Sequence, residues 1–299
     1  MTGFLFASIT IFAWGSWLAP SQQINFKNQQ IKIFYVSISN LILAFVVGLF
    51  QGLDSITFEN FWLPFIGGAI WGISGYFAFL ATSGIGIARS VGIWSPMNMV
   101  VSIIWGVCLF GEFTQSSVST IVLAIFSIII IIAGILIIVF AKQKQEQSDI
   151  GEAQKAGRRL GLIGAIVAGV LWGSFIIPLR ISSVSSWVAA FPMAIGIFAS
   201  SAVLALSTRK SFALEKLSDY PRVALTGILW GIGNYACLKT LELLGTGKGY
   251  TIIQLNLAVN TLIGIFVFKE VDPKSKSARL IFGGIIISLA GVMILGNLN

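Results

Sequence analysis

A seven-residue segment of the chain occurs twice. Residues 14–20 read WGSWLAP, and residues 172–178, which lie 158 positions later, read WGSFIIP. Further matches keep the same order and nearly the same spacing: Trp71-Gly72-Ile73 with Tyr76 recurs as Trp230-Gly231-Ile232 with Tyr235, Asn98 recurs as Asn256, and Glu112 recurs as Glu270. Several matches at one offset indicate an internal repeat. The chain is therefore predicted to consist of two copies of one structural unit.

The surroundings of this repeated unit follow from composition. Hydrophobic residues make up 56% of the chain, charged residues make up 10%, and the mean hydropathy is +0.92. These values lie far from the averages of soluble domains and indicate a lipid bilayer. The net charge of +8 is distributed between apolar runs, so a nucleic-acid partner is not predicted. Because the chain has no histidine, neither a His-ligated metal nor a His proton relay is available, and we predict no metal and no cofactor.

Long apolar runs give the fold class. A helix needs roughly 20 apolar residues to cross a membrane. Runs of this kind occupy residues 4–21, 33–50, 61–83, 90–111, 118–141, 160–179, 187–206, 223–244, 249–268 and 280–296. We predict an all-α polytopic membrane protein with ten transmembrane helices. Residues 1–141 form the first five-helix repeat, residues 142–159 a hydrophilic linker, and residues 160–299 the second five-helix repeat.

The odd number of helices in each half predicts how the halves are related. Two consecutive five-helix units enter the membrane from opposite sides, which makes an inverted repeat of the kind found in secondary transporters. Sixteen of the nineteen Lys and Arg residues fall on the side of the linker. The positive-inside rule therefore places the linker in the cytoplasm of a multi-pass protein in the cytoplasmic membrane.

Two tryptophans in the first helix are candidates for a binding site. Trp14 and Trp17 are three residues apart and share one helix face, and Pro20 is expected to stop or kink the helix just beyond them. Trp14 lies about 15 Å into its span at 1.5 Å per residue, which is near the middle of the bilayer. Packing beside Gly15 and lining a cavity explain this position equally well.

Amides in the fourth and ninth spans are further candidates. Pro96 is expected to interrupt the hydrogen-bond ladder of the fourth span. Asn98 follows it deep in this span, where it makes either a structural hydrogen bond or part of a substrate site. Asn256 and Asn260 are four apart and share one face of the ninth span, whereas Gln254 points about 200° away. Either Gln254 bonds to a neighbouring helix or the backbone is irregular there.

Lys239 and Glu242 are the only charges expected inside a hydrophobic span. Such charges are costly and are usually paired or functional. They are three residues apart, so a mutual ion pair near the interface is one interpretation, and coupling of transport to protons is the other. Glu112 and Glu270 end their helices, where a boundary role is expected.

The chain resembles the drug/metabolite transporter superfamily in its ten predicted helices, its paired halves, the Trp-Gly-Ser motif that opens each half and the Glu that closes the fourth helix. The aromatic first helix, the charged linker and the Pro96-Met97-Asn98 segment are most similar to the glucose/ribose porter and rhamnose-transporter branch. This resemblance implies uptake of a neutral sugar, commonly with protons. Related small multidrug-resistance exporters carry a Glu in their first helix, whereas residues 4–26 contain no carboxylate.

These observations predict a secondary active transporter of a small neutral solute, with a monosaccharide favoured and proton symport as its driving force. An amino-acid or other metabolite exporter of the same superfamily is the alternative. An enzyme is disfavoured, because the sequence offers no nucleophile with its base, and no catalytic residue is predicted. Aromatic rings can stack on a sugar and amides can bond its hydroxyls. The predicted substrate-binding residues are Trp14, Trp17, Tyr76, Trp94, Asn98, Trp172, Asn234, Tyr235, Gln254 and Asn256, with Glu242 and Lys239 as candidates for coupling.

Overall fold

The regular structure of the protein is helical. The computed structural model describes residues 2–26, 28–51, 53–111, 114, 116–141, 151–244, 249 and 252–298. In these ranges the helices are α1 Thr2–Ser16, α2 Gln29–Gln51, α3 Phe58–Ile85, α4 Ile87–Phe110, α5 Val118–Phe140, α6 Glu152–Ser174, α7 Ile176–Ser182, α8 Ser186–Ser207, α9 Asp219–Leu244, α10 Asn256–Leu262 and α11 Lys276–Gly296. No strand occurs among the described residues, which confirms the all-α prediction.

The helices are those of a polytopic membrane protein. Within the described ranges, eight helical stretches are long and apolar enough to cross a bilayer. The other two predicted spans correspond to α9, which has 26 residues but more polar side chains, and to Asn256–Val267, which is a shorter apolar helix. Helix α6 begins at Glu152, so the last part of the predicted linker is helical. Residues 142–150 and Glu112 lie outside the described residues.

The repeated motif breaks a helix in each half. Helix α1 ends at Ser16 and α6 ends at Ser174, and each of these residues lies four positions before a proline. Proline lacks an N–H and its ring clashes with the carbonyl of the residue four positions earlier, so the helical hydrogen bond to these two carbonyls cannot form. The chain continues as a 3₁₀ turn at Ala19–Ser21 in the first half and as α7 in the second. The stop expected at Pro20 is thus confirmed.

The fourth span is a continuous helix, whereas the backbone of the ninth span is irregular. Helix α4 runs without a break through Pro96, where the sequence predicted an interruption. Lost backbone hydrogen bonds of this kind are tolerated in membrane helices when neighbouring groups satisfy the freed carbonyl. In the ninth span, a turn at Gln254 and Leu255 precedes α10, and a π-helix at Ile263–Val267 follows it. The irregular backbone is therefore the correct one of the two alternatives for Gln254.

Close helix packing surrounds the centre of the molecule. Helix α3 packs against α6 and α8, α1 against α9, α2 against α8 and α9, α4 against α6, and α5 against α11. The contact of α3 with α8 depends on glycines, because a Cβ added to Gly68 would run into the carbonyl oxygen of Met193 and one added to Gly196 into that of Phe65. Small residues of this kind let helix backbones approach in membranes.

Candidate functional site

A cavity of about 490 Å³ lies at the centre of the protein and is lined by helices of both halves. Its walls come from α1, α2, α3 and α4 in the first half and from α6, α7, α8, α9 and the ninth span in the second. The structure brings nine of the ten predicted substrate-binding residues to this cavity: Trp14, Trp17, Trp94, Asn98, Trp172, Asn234, Tyr235, Gln254 and Asn256. Most of the predicted residues therefore belong to the lining, although most of the lining was not predicted.

Tyr76 is the predicted residue that the structure does not bring to the cavity. It is partly buried against the core, with its ring centroid 5.1 Å from that of Phe77. Its repeat partner Tyr235 does line the cavity, and the Tyr235 ring stacks on Trp187 at 5.9 Å and 23°. The two tyrosines occupy equivalent positions in the repeat, yet their surroundings differ.

The two charged candidates of α9 bind each other. Lys239 Nζ lies 2.7 Å from Glu242 Oε2, and the two side chains are 38% and 50% exposed. The Lys239 ammonium also lies 5.5 Å from the centroid of the Trp187 ring. Neither residue lines the cavity. The geometry fits a mutual ion pair, which was one of the two interpretations offered for these residues.

Four tryptophans form an aromatic wall at the centre of the cavity. The rings of Trp71 and Trp230, which are equivalent in the repeat, have centroids 3.7 Å apart. The Trp172 ring lies 5.0 Å from Trp71 and 5.4 Å from Trp94. Sequence reasoning did not assign Trp71 and Trp230 to the site, although both belong to the repeated Trp-Gly-Ile motif. Flat apolar rings of this kind can pack on the C–H face of a sugar.

Three of the lining asparagines that the sequence predicted are each held by a hydrogen bond from the protein. Asn234 Oδ1 accepts from Trp14 Nε1 at 3.1 Å, and Asn98 Oδ1 accepts from Ser102 Oγ at 3.3 Å. Asn256 Nδ2 donates to a backbone carbonyl at 2.6 Å. An amide fixed through one atom presents its other atom in a defined direction. The cavity is thus lined by oriented amide groups beside aromatic rings.

The described lining is uncharged, since no Asp, Glu, Lys or Arg belongs to it. An ion would lose its hydration in such a cavity without gaining a countercharge, which is costly. The described residues also hold no cluster of His, Cys, Asp and Glu that could bind a metal. The cavity is therefore suited to a neutral, hydroxyl-bearing molecule.

Glu270, outside the membrane-spanning helices, links the two halves. Its carboxylate accepts hydrogen bonds from the backbone N–H groups of Ile87 at 2.5 Å and Ala88 at 2.9 Å, so it caps the start of α4. Burial raises the pKa of Glu270, although the two N–H groups and the charge of Arg89 act in the opposite direction. The sequence predicted a boundary role for this residue, but its partner in the other half was not foreseen.

A helical bundle with an uncharged central cavity built from both halves has the architecture of a membrane transport protein. The sequence matches the family described as sugar transport protein over residues 5–298. The chain belongs to this family, which is one of transport proteins and not of enzymes. The predicted resemblance to sugar-uptake proteins is confirmed as membership of a family of sugar transport proteins.

Relatives match over nearly the whole chain. A Bacillus anthracis protein whose name describes it as a sugar uptake protein is 26% identical over 98% of both chains. A Staphylococcus aureus (strain Mu50) protein that carries the name of the glucose uptake protein GlcU is 28% identical over 86% of both. A solved crystal structure has the same fold, with a TM-score of 0.59 at 18% identity, over 98% of this chain and 97% of its own.

Proposed function

We propose that the protein is a secondary active transporter that moves a neutral monosaccharide across the cytoplasmic membrane by alternating access. The observation that carries this proposal is the uncharged cavity, in which aromatic rings and oriented amides from both halves face one space. Its volume of about 490 Å³ falls in the range typical of small-molecule sites. The names of the relatives support a sugar as the substrate.

The proposal includes an inverted repeat of ten spans, in which α6 with α7 forms one span and α10 with its π-helix another. The pattern of helix contacts supports it. Exchanging the halves converts the contact of α3 with α6 into that of α9 with α1, and the contact of α4 with α6 into that of α10 with α1. The contacts of α5 with α11 and of α2 with α8 convert into themselves. A twofold relation between the halves produces such a pattern.

The lining residues also support an opening on one side. Ala190 and Met193 lie in the first half of α8, and Leu238 and Leu241 lie in the last part of α9. In the proposed topology, these ends of the two helices face away from the linker. The cavity would then open to the outside, which suits a transporter that takes up its substrate.

Contacts between the halves close the opposite side. Tyr35 Oη donates to the carbonyl oxygen of Phe212 at 3.0 Å, and Thr226 Oγ1 donates to Ser21 Oγ at 2.9 Å. Alternating access requires these contacts to separate when the cavity opens to the cytoplasm. Protons are the proposed driving ion, and the ion pair of Lys239 and Glu242 is the proposed place of coupling.

Uptake into proteoliposomes tests the proposal. Labelled neutral monosaccharides are compared with labelled amino acids, and the proton gradient is varied. Asn98→Ala and Asn256→Ala each remove hydrogen bonds worth roughly 0.5–1.5 kcal/mol, so each variant should bind sugar several-fold more weakly. Asn297→Ala is the matched control, because Asn297 is exposed and bonds only the carbonyl of Met293. Accumulation of amino acids without sugar would instead support the exporter of the same superfamily.

A further inference from the structure

The two repeat-related tryptophans Trp14 and Trp172 differ in the partner of the indole N–H. Trp14 Nε1 donates to Asn234 Oδ1 at 3.1 Å. The residue equivalent to Asn234 in the first half is Gly75. In both halves this position follows the Trp-Gly-Ile motif and immediately precedes the repeated tyrosine. Glycine has no side chain to offer. Accordingly, Trp172 is 6% exposed and its Nε1 has no hydrogen-bond partner.

Asn260 supplies a second unpaired atom in the wall of the same cavity. Its Nδ2 donates to the carbonyl oxygens of Trp14 at 2.9 Å and of Asn256 at 3.1 Å. Carbonyl oxygens only accept, so these two bonds fix which end of the amide carries the oxygen. Asn260 is 1% exposed, and its Oδ1 has no partner.

Comparison of the two halves again explains why Asn260 Oδ1 has no hydrogen-bond partner. Ser102 stands 158 positions before Asn260. Its single hydroxyl proton can go to Gly173 O at 3.2 Å or to Asn98 Oδ1 at 3.3 Å, so its one donor has a partner within the protein. Asparagine makes the corresponding bond to α1 with its nitrogen and still carries an oxygen. In both cases, a difference between the two halves at one position leaves a buried polar atom without a hydrogen-bond partner.

Unused buried polar atoms are costly and need an explanation. A buried donor or acceptor without a partner has lost its hydrogen bonds to water and gained none in return, and the great majority of such atoms in proteins are paired. Here one unpaired donor and one unpaired acceptor belong to two residues that line one cavity. A sugar hydroxyl can accept one hydrogen bond and donate another, so a sugar supplies the partners that both atoms lack.

Building on the proposed sugar transport, we propose that Trp172 Nε1 and Asn260 Oδ1 determine specificity by hydrogen bonding to hydroxyl groups of the sugar. Both atoms are covered by protein atoms in this state, so the two side chains must turn toward the cavity for these bonds to form. A site built to bond a hydroxyl discriminates strongly against an analogue that lacks it. The repeat thus contributes stacking rings in pairs, whereas the polar contacts come from the positions where the two copies differ.

The test combines two variants with a series of sugars. Trp172→Phe keeps an aromatic ring and removes the N–H, and Asn260→Ser introduces the residue that the first half has at this position. Equilibrium binding of glucose and its four monodeoxy derivatives at carbons 2, 3, 4 and 6 is measured for each purified protein. Each variant should bind glucose about three- to tenfold more weakly. Each should also bind one monodeoxy derivative, the one without its hydroxyl partner, as tightly as the unaltered protein does.

Two controls are measured beside these variants: the wild-type protein and the matched variant Trp14→Phe. Trp14→Phe should weaken binding of all five sugars alike, because its N–H bonds to the protein. If a variant does not fold, the wild-type series decides, since at least one monodeoxy sugar must bind threefold or more weakly than glucose. Equal binding of all five sugars by the wild type, or unchanged profiles in both variants, would overturn the proposal while leaving sugar transport standing. A wild-type protein that binds no sugar would overturn both.

Discussion

At the scale of single residues, Asn234 holds Trp14 in the cavity wall through one hydrogen bond. Asn234→Ala removes the acceptor and leaves the indole N–H without a partner, so it should lower the free energy of unfolding by about 1–3 kcal/mol. In combination with Trp14→Phe, which has no N–H to lose, the same change should cost less. Denaturant titration of the four proteins in detergent measures this coupling. Strictly additive effects would mean that the bond contributes nothing.

The carboxylate of Glu270 predicts a dependence of stability on pH. Burial raises its pKa above the ordinary value of 4.5, so the folded protein holds this proton more tightly than the unfolded chain does. The contribution of Glu270 to stability is therefore fully present below pH 4.5 and is lost as the pH rises through the raised value. The free energy of unfolding should fall with pH in this window for the wild type, relative to Glu270→Gln. The opposite slope would show that the two N–H groups of α4 outweigh burial.

The large aromatic and amide residues of the lining were partly predictable, because position within a span and chemical type can be read from the sequence. Trp14, Asn98 and Asn256 are large or polar groups at depths where lipid offers them no partner. Tyr76 shows the limit of this reasoning. The repeat establishes that it corresponds to Tyr235, but a motif does not encode which neighbours surround each copy. Asn260 Oδ1 lacks a partner because the amide nitrogen bonds to Trp14, which is far away in the sequence, so this feature could not be predicted.

At the scale of helices, a proline in the sequence predicted a helix end correctly in some spans and not in others. Pro20 and Pro178 end their helices, whereas α4 continues through Pro96. Helix α3 also contains Pro64 and α8 contains Pro192, so a proline alone does not determine where a helix ends. The break at Gln254 was one of two open alternatives, since three polar residues on different faces cannot all reach one cavity from a straight helix.

The glycine contact between α3 and α8 gives a prediction at this scale. Gly68→Ala would place a methyl group against the backbone of α8 at Met193, and backbone cannot move aside as a side chain can. We expect a loss of about 1–3 kcal/mol in the free energy of unfolding. Gly283→Ala is the control, because no atom lies within 4 Å of an added Cβ there. Thermal unfolding in detergent compares the two, and equal midpoints would mean that the helices are not closely packed at Gly68.

At the scale of the whole molecule, composition was sufficient to predict a polytopic membrane protein, and the repeat predicts that it consists of two related halves. Charge counting predicts its orientation. In a background with Cys108 and Cys237 replaced by alanine, Glu59→Cys should react with an impermeant maleimide in intact cells, and Ala153→Cys should react only after permeabilisation. Both positions are exposed to solvent or headgroups, so access to the reagent is determined by the side of the membrane. The reverse pattern would invert the proposed topology.

The aromatic wall has an optical consequence. Trp71 belongs to the first half and Trp230 to the second, and indole rings with centroids 3.7 Å apart couple their electronic transitions. Any movement of one half against the other changes this separation, so the near-ultraviolet circular dichroism of the protein should change when substrate is added. Trp71→Phe should abolish most of that change, whereas Trp62→Phe, at an exposed ring near the start of α3, should not. The protein thus carries its own spectroscopic reporter of the distance between its halves.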